Sequence, residues 1–256
     1  MEKTDPVFEL FQQEVSRHGL VIDSVSEDGL IYIKDHRISL DNARKQFTVN
    51  GDTSKVQELV RLVLNSDSVS TSWEEVRAAI LPVLLPSDME YVQEAVHKRI
   101  TAGMSMVLVQ NAGEQIVWLR NDDAAEWKQT HEMLFKEAYA NLDSVLASSE
   151  IKPALLEGHP YGIILGAESF LDASLPFAPG FKERVKKQFG WPVYAVMPVR
   201  DLCFIFSEHE LDFFGQRFSS TVLTEFSTSP YPVTRELIKI SDSGIEAIGQ
   251  YKKSLK

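Results

Sequence analysis

A chain of 256 residues with 26 Lys and Arg against 37 Asp and Glu, formal net charge −11, is ill suited to neutralise a phosphate backbone, so general nucleic-acid binding is not expected. At 44% hydrophobic and 25% charged it has the composition of a globular protein, and its single cysteine rules out an internal disulfide or a cysteine-rich metal site. The opening Met1-Glu2-Lys3-Thr4-Asp5-Pro6 lacks the basic start and apolar run of a secretory signal, and no apolar stretch nears the roughly 18 residues of a bilayer span, so a cytoplasmic protein with no membrane partner is expected.

Val7, Phe8, Leu10, Phe11 and Val15 fall on one helical stripe, and Gly19 supplies a stop. Residues 20–22 and 30–33 read as strands about a turn at 26–29. Residues 38–42 lead into a helix capped by Asp41, and in the next helix Val56, Leu59, Val60, Val63 and Leu64 recur at helical spacing. The polar run 65–72 is the best boundary. It separates an N-terminal α+β subdomain, 1–66, from a main α+β domain, 73–256, with one continuous domain as the alternative.

A helix from about Trp73 ends at the strand-like run 80–86, and strands 104–109 and 115–120 form a hairpin about 111–114. A helical region from Asp122 to about Leu146 breaks near Thr130, which caps its second half. Residues 161–167 read as a buried strand, and Pro179 opens a helix, 181–189, closed by Gly190. The most apolar run, 192–206, folds as two strands about Arg200-Asp201, and strands this apolar must be covered on both faces. A helix over about 210–226 and the extended Ser229-Pro230-Tyr231-Pro232 precede a last hairpin, 237–240 with 245–248, turning at 242–244. Hairpins impose antiparallel pairing. The expected class is therefore α+β: antiparallel β-hairpins each followed by helices, in a mixed sheet packed against helices.

Signatures of common active sites are missing. The sequence holds no phosphate-binding glycine loop, no GxGxxG, no HExxH and no GxSxG, and its six histidines are scattered. No catalytic residue, cofactor or metal is expected. Cys203 lies between Leu202 and Phe204, where a desolvated thiol stays unreactive. The candidate polar site is the Arg200-Asp201 turn together with Glu168 and Asp172, which follow the 161–167 strand. Carboxylates converging on an arginine hold either a ligand or a structural ion-pair network, and the plain alternative is a turn facing water. On the 181–189 helix, Lys182, Arg184, Lys186 and Lys187 gather on the outer side, either as a solvated face or as a patch for an anion or acidic partner.

Several segments, taken in order, resemble the YtpQ-like family of bacterial proteins, a domain of unknown function. They are Ile38-Ser39-Leu40-Asp41-Asn42, Trp73-Glu74-Glu75-Val76-Arg77 running into Ile80-Leu81-Pro82-Val83-Leu84, Glu168-Ser169-Phe170-Leu171-Asp172-Ala173-Ser174, Ala195-Val196-Met197-Pro198-Val199-Arg200-Asp201-Leu202 and Pro230-Tyr231-Pro232-Val233. The resemblance runs from Leu20 to Ile248 and implies a bacterial, cytoplasmic α+β protein, with no catalytic residues to carry over. Three functional readings follow. The leading one is a non-catalytic module that binds another protein. The second is an enzyme or small-ligand binder with a pocket near Glu168, Asp172, Arg200 and Asp201. The third is an immunity or inhibitor protein for a basic toxin, drawn by opposite charge. No pattern in the sequence fixes an oligomeric state.

Overall fold

Asp5 starts the fold: its side chain accepts the N–H groups of Val7 and Phe8 and caps helix α1 (Pro6–Arg17), whose first position is Pro6. The structure, a computed structural model, describes residues 5–26, 29–34, 36–65, 72–112, 116–166 and 168–252. Met1 to Thr4, the turn residues Glu27 and Asp28, most of the expected boundary (66–71), the hairpin residues 113–115 and Ala167 lie outside the described residues. The chain divides into two compact units, Met1–Val69 with Thr228–Pro230, and Ser70–Ser227 with Tyr231–Lys256.

In the smaller unit α1 is followed by an antiparallel meander, β1 (Ser24–Val25), β2 (Ile31–Ile33) and β3 (His36–Ile38), then by α2 (Asp41–Asn50) and α3 (Ser54–Asn65). One cluster holds it together: Val7, Phe11 and Val15 of α1 meet Ile31, Ile33, Leu40, Val56, Val60 and Val63. Two expectations shift here. The first strand forms at Ser24–Val25 rather than at 20–22, because pairing starts where the Asp23 N–H donates to Tyr32 O and the Asp23 carboxylate accepts the Lys34 N–H. Leu20 and Ile22 instead pack against the core as irregular chain. Asp41 is the first helical residue of α2 rather than its cap. Its own N–H donates to Ser39 Oγ, and its carboxylate still sits at the positive end of the helix.

The larger unit contains α4 (Trp73–Val76), β4 (Ile80–Pro86), β5 (His97–Arg99), β6 (Met104–Asn111), β7 (Ile116–Trp118), α5 (Asn121–Glu126) and α6 (His131–Ser148). Thr130 Oγ1 accepts the Met133 N–H, so the expected break falls where a cap is available. Next come β8 (Glu150–Leu156), β9 (His159–Leu165), α7 (Phe181–Phe189), β10 (Val193–Val199), β11 (Leu202–Ser207), α8 (Leu211–Arg217), α9 (Ser219–Thr228), β12 (Glu236–Ser241) and β13 (Gly244–Gln250). β6 pairs with β4, β5 and β7 in a small sheet, and the large sheet has the order β13-β12-β10-β11-β9-β8. The class is α+β. Every pairing among the described strands is antiparallel, so the sheets are not mixed; tight turns join β8 to β9, β10 to β11 and β12 to β13, and a tight turn can only reverse the chain.

All seven residues of β10 are buried, and their alternation explains why so apolar a strand is needed. Val193, Ala195 and Met197 share one face with Cys203, Ile205, Ile238 and Ile240, in a cluster completed by α6 and α7. Tyr194, Val196, Phe206 and Leu237 share the other with Phe214, Phe218 and Val222 of α8 and α9. The single helix expected over 210–226 is two helices joined at Phe218, whose ring stacks at 4.7 Å on both Phe204 and Phe214. Burying one such ring contributes roughly 1.5–3 kcal/mol.

Both edges of the large sheet are blunted. β8 carries Lys152 and Pro153 along its length, and Ile248 of β13 is an extra residue between the pairs Ile238–Ala247 and Leu237–Gly249, a bulge. Glu236, at the start of β12, is 7% exposed and closes the loop before β6: its carboxylate accepts the Thr101 hydroxyl, the Gly103 N–H at 3.2 Å and the Thr234 hydroxyl at 3.1 Å.

Candidate functional site

β9 ends at Leu165, and after Gly166 the chain makes a short 3-10 turn, Ser169–Leu171, that delivers Asp172 into the interior. Asp172 is 3% exposed, and its Oδ1 accepts the Gly166 N–H at 2.6 Å. A Cβ on residue 166 would lie 2.5 Å from that oxygen, so the approach requires glycine. Three segments are stitched here. The Ala173 N–H donates to Arg200 O at 3.0 Å, the Arg200 N–H to Tyr231 O at 3.2 Å and the Val233 N–H to Pro198 O at 2.8 Å.

The structure therefore brings Asp172, Arg200 and Asp201 to one joint at the end of the β10–β11 hairpin. The Arg200 guanidinium lies 3.3 Å from the centre of the Tyr231 ring, a cation–π contact. Asp201 is exposed at the turn. Glu168 is also exposed; its carbonyl starts the 3-10 turn by accepting the Leu171 N–H at 2.9 Å. Burial pushes the Asp172 carboxyl up to about 6, against the opposing pull of the Gly166 N–H, and the nearby Asp201 carboxylate adds to the rise. Cys203 is fully buried. Burial, followed by the Asp172 charge, raises its thiol far above the ordinary range, so it stays protonated and a poor nucleophile.

The basic helix α7 has three of its four cations tied individually. Lys182 Nζ sits 2.7 Å from Asp242, which also accepts the Trp191 indole N–H; Lys186 pairs with Glu183; Arg184 donates to Ser149 O at 2.7 Å; Lys187 is exposed. Sequence reasoning did not find the pair His159–Glu210, with Nδ1 and Oε2 2.6 Å apart and the imidazole stacked 3.7 Å from the Phe213 ring. With Arg217–Glu157 it pins the β8–β9 turn to α8. The partners are 51 residues apart in the first pair and 60 in the second, so no local pattern signals them. Among the described residues, no group of three or more His, Cys, Asp or Glu is placed to hold a metal ion.

One surface stands out beside the joint. Ile163 pairs with Phe204 and Lys152, and Leu165 pairs with Glu150. Side chains two apart share a face, so Ile163, Leu165, Leu202 and Phe204 form an apolar strip on the face that α8 and α9 cover further along. Leu165 is 43% exposed, and the other three are half-buried. Carboxylates flank the strip: Glu150 opposite Leu165, Glu168 following it and Asp201 preceding Leu202. No described helix is long and apolar enough to cross a membrane. No protein-family model matches the chain, and no curated protein and no solved structure is significantly similar to it.

Proposed function

We propose that this chain is a non-catalytic module that docks a basic protein through the strip of Ile163, Leu165, Leu202 and Phe204. The exposure of Leu165 within that strip, on a sheet face where its neighbours are only half covered, carries the reading. The blunted edges favour face-on docking over strand addition. The partner's chemistry follows from the surroundings. Glu150, Glu168 and Asp201 beside the strip outnumber Lys152, which stands opposite Ile163, on a chain of net charge −11, and this suits an apolar anchor ringed by Lys and Arg. An immunity or inhibitor protein for a basic toxin is one form such a module takes. A small-ligand site around Glu168, Asp172, Arg200 and Asp201 draws less support, because the Asp172 carboxyl is withdrawn from any solute.

The test compares the wild-type protein with Leu165→Asp, after circular dichroism has shown both folded, as bait for cell extract at low and high salt. A stoichiometric basic protein should be retained by the wild type, at least tenfold less by the variant, and less at high salt. Equal retention by the two baits would refute the strip as the docking surface.

A further inference from the structure

Asp172 is a buried carboxyl in an awkward place. Among the described residues its side chain accepts the Gly166 N–H from its own segment, and it lies close enough to Cys203 of β11 and to Asp201 of the β10–β11 turn for their charges to interact. The other charged or titratable groups nearby do not neutralise it: Arg200 lies over the Tyr231 ring, and the Glu168 side chain is exposed. The segment that carries Asp172 is short and non-repetitive. It is fastened to the turn through the Ala173 N–H and to the interior through Leu171, Ala173 and Ser174, each at most 1% exposed.

We propose that Asp172 is a pH-operated latch: as a neutral carboxyl it lets residues 168–174 close against the β10–β11 turn, and its ionisation beside Asp201 loosens that segment. Opening returns the carboxyl to water, where its ordinary value is 3.8, whereas closed it titrates near 6. A group whose value is raised in the closed state supports closure fully below the lower value and loses that support as pH rises through the upper one. Between pH 5 and pH 7 the opening equilibrium should therefore rise about tenfold, with little further change at higher pH. The latch works whether or not a partner occupies the neighbouring apolar strip.

Amide hydrogen exchange on the full chain, corrected for intrinsic rates, reads this directly. In the wild type, protection of the Gly166, Leu171 and Ala173 amides should fall about tenfold from pH 5 to pH 7 and stay well below that of amides in the middle of β10, which open only on global unfolding. In Asp172→Asn the same three amides should show no pH dependence. A flat wild-type profile, a variant that keeps the wild-type slope, or protection at the three amides equal to that in β10 overturns the latch. Should that variant not fold, Asp201→Asn decides: removing the facing charge should move the midpoint of the wild-type profile to lower pH, and an unmoved midpoint overturns the proposal.

Discussion

Glu236 and Asp172 are withdrawn from water to similar degrees, 7% and 3% exposed, but their surroundings differ. Glu236 receives two hydroxyls and a backbone N–H from Thr101, Gly103 and Thr234, which link a loop of the small sheet to β12 of the large one. Asp172 receives the N–H of Gly166, six residues away, and faces the charge of Asp201. Burying a carboxylate is costly in itself, and the supply of donors decides whether it becomes a fastening or a burden. Glu236 is a rivet between distant segments. Asp172 is a carboxyl with too few donors for its charge.

Substitutions can break or sharpen this contrast. The largest effect belongs to Glu236→Ala, which deprives the buried Thr234 hydroxyl and the half-buried Thr101 hydroxyl and Gly103 N–H of their acceptor and should lower stability by about 3 kcal/mol in chemical denaturation at pH 7. A loss below about 1 kcal/mol would mean that water replaces the carboxylate freely and that the rivet is illusory. Asp172→Asn should act in the opposite direction. It keeps an acceptor for the Gly166 N–H but removes the charge, so at pH 7.5 the variant should be more stable than the wild type by about 1–2 kcal/mol. That gain should shrink as pH falls through 6 and vanish below about 4, where the wild-type carboxyl is neutral both folded and unfolded. The smallest change is Thr234→Val, which removes one of the three donors to Glu236 and the hydroxyl that accepts the Glu236 N–H; it should cost about 1 kcal/mol, read as a lower denaturation midpoint.

Much of the frame was legible because its signals are local. The run through Val193 to Phe206 announced two strands, of which β10 is covered on both faces while Leu202 and Phe204 leave one face of β11 half-covered; Gly190 closed α7, Thr130 capped α6, and residues 242–244 turned the last hairpin. β8 escaped notice since an edge strand with exposed Glu150, Lys152 and Pro153 has neither the alternation nor the apolar content of a core strand. The candidate site was legible as an address but not as an environment. Arg200 and Asp201 marked the turn, and Glu168 and Asp172 marked the segment, yet all four read equally as surface residues. What withdraws Asp172 from water is the packing of its segment against a turn almost thirty residues on, and neither Tyr231 beneath Arg200 nor Phe213 beneath His159 leaves a trace in local spacing.

The close approach at Gly166 ties the histories of two positions. Because any β-carbon there would collide with the Asp172 carboxylate, a methyl group at 166 is tolerable only once residue 172 has been shortened, for instance to serine. Across the descendants of this chain the two sites should therefore be exchanged in concert, the acid disappearing wherever the glycine does.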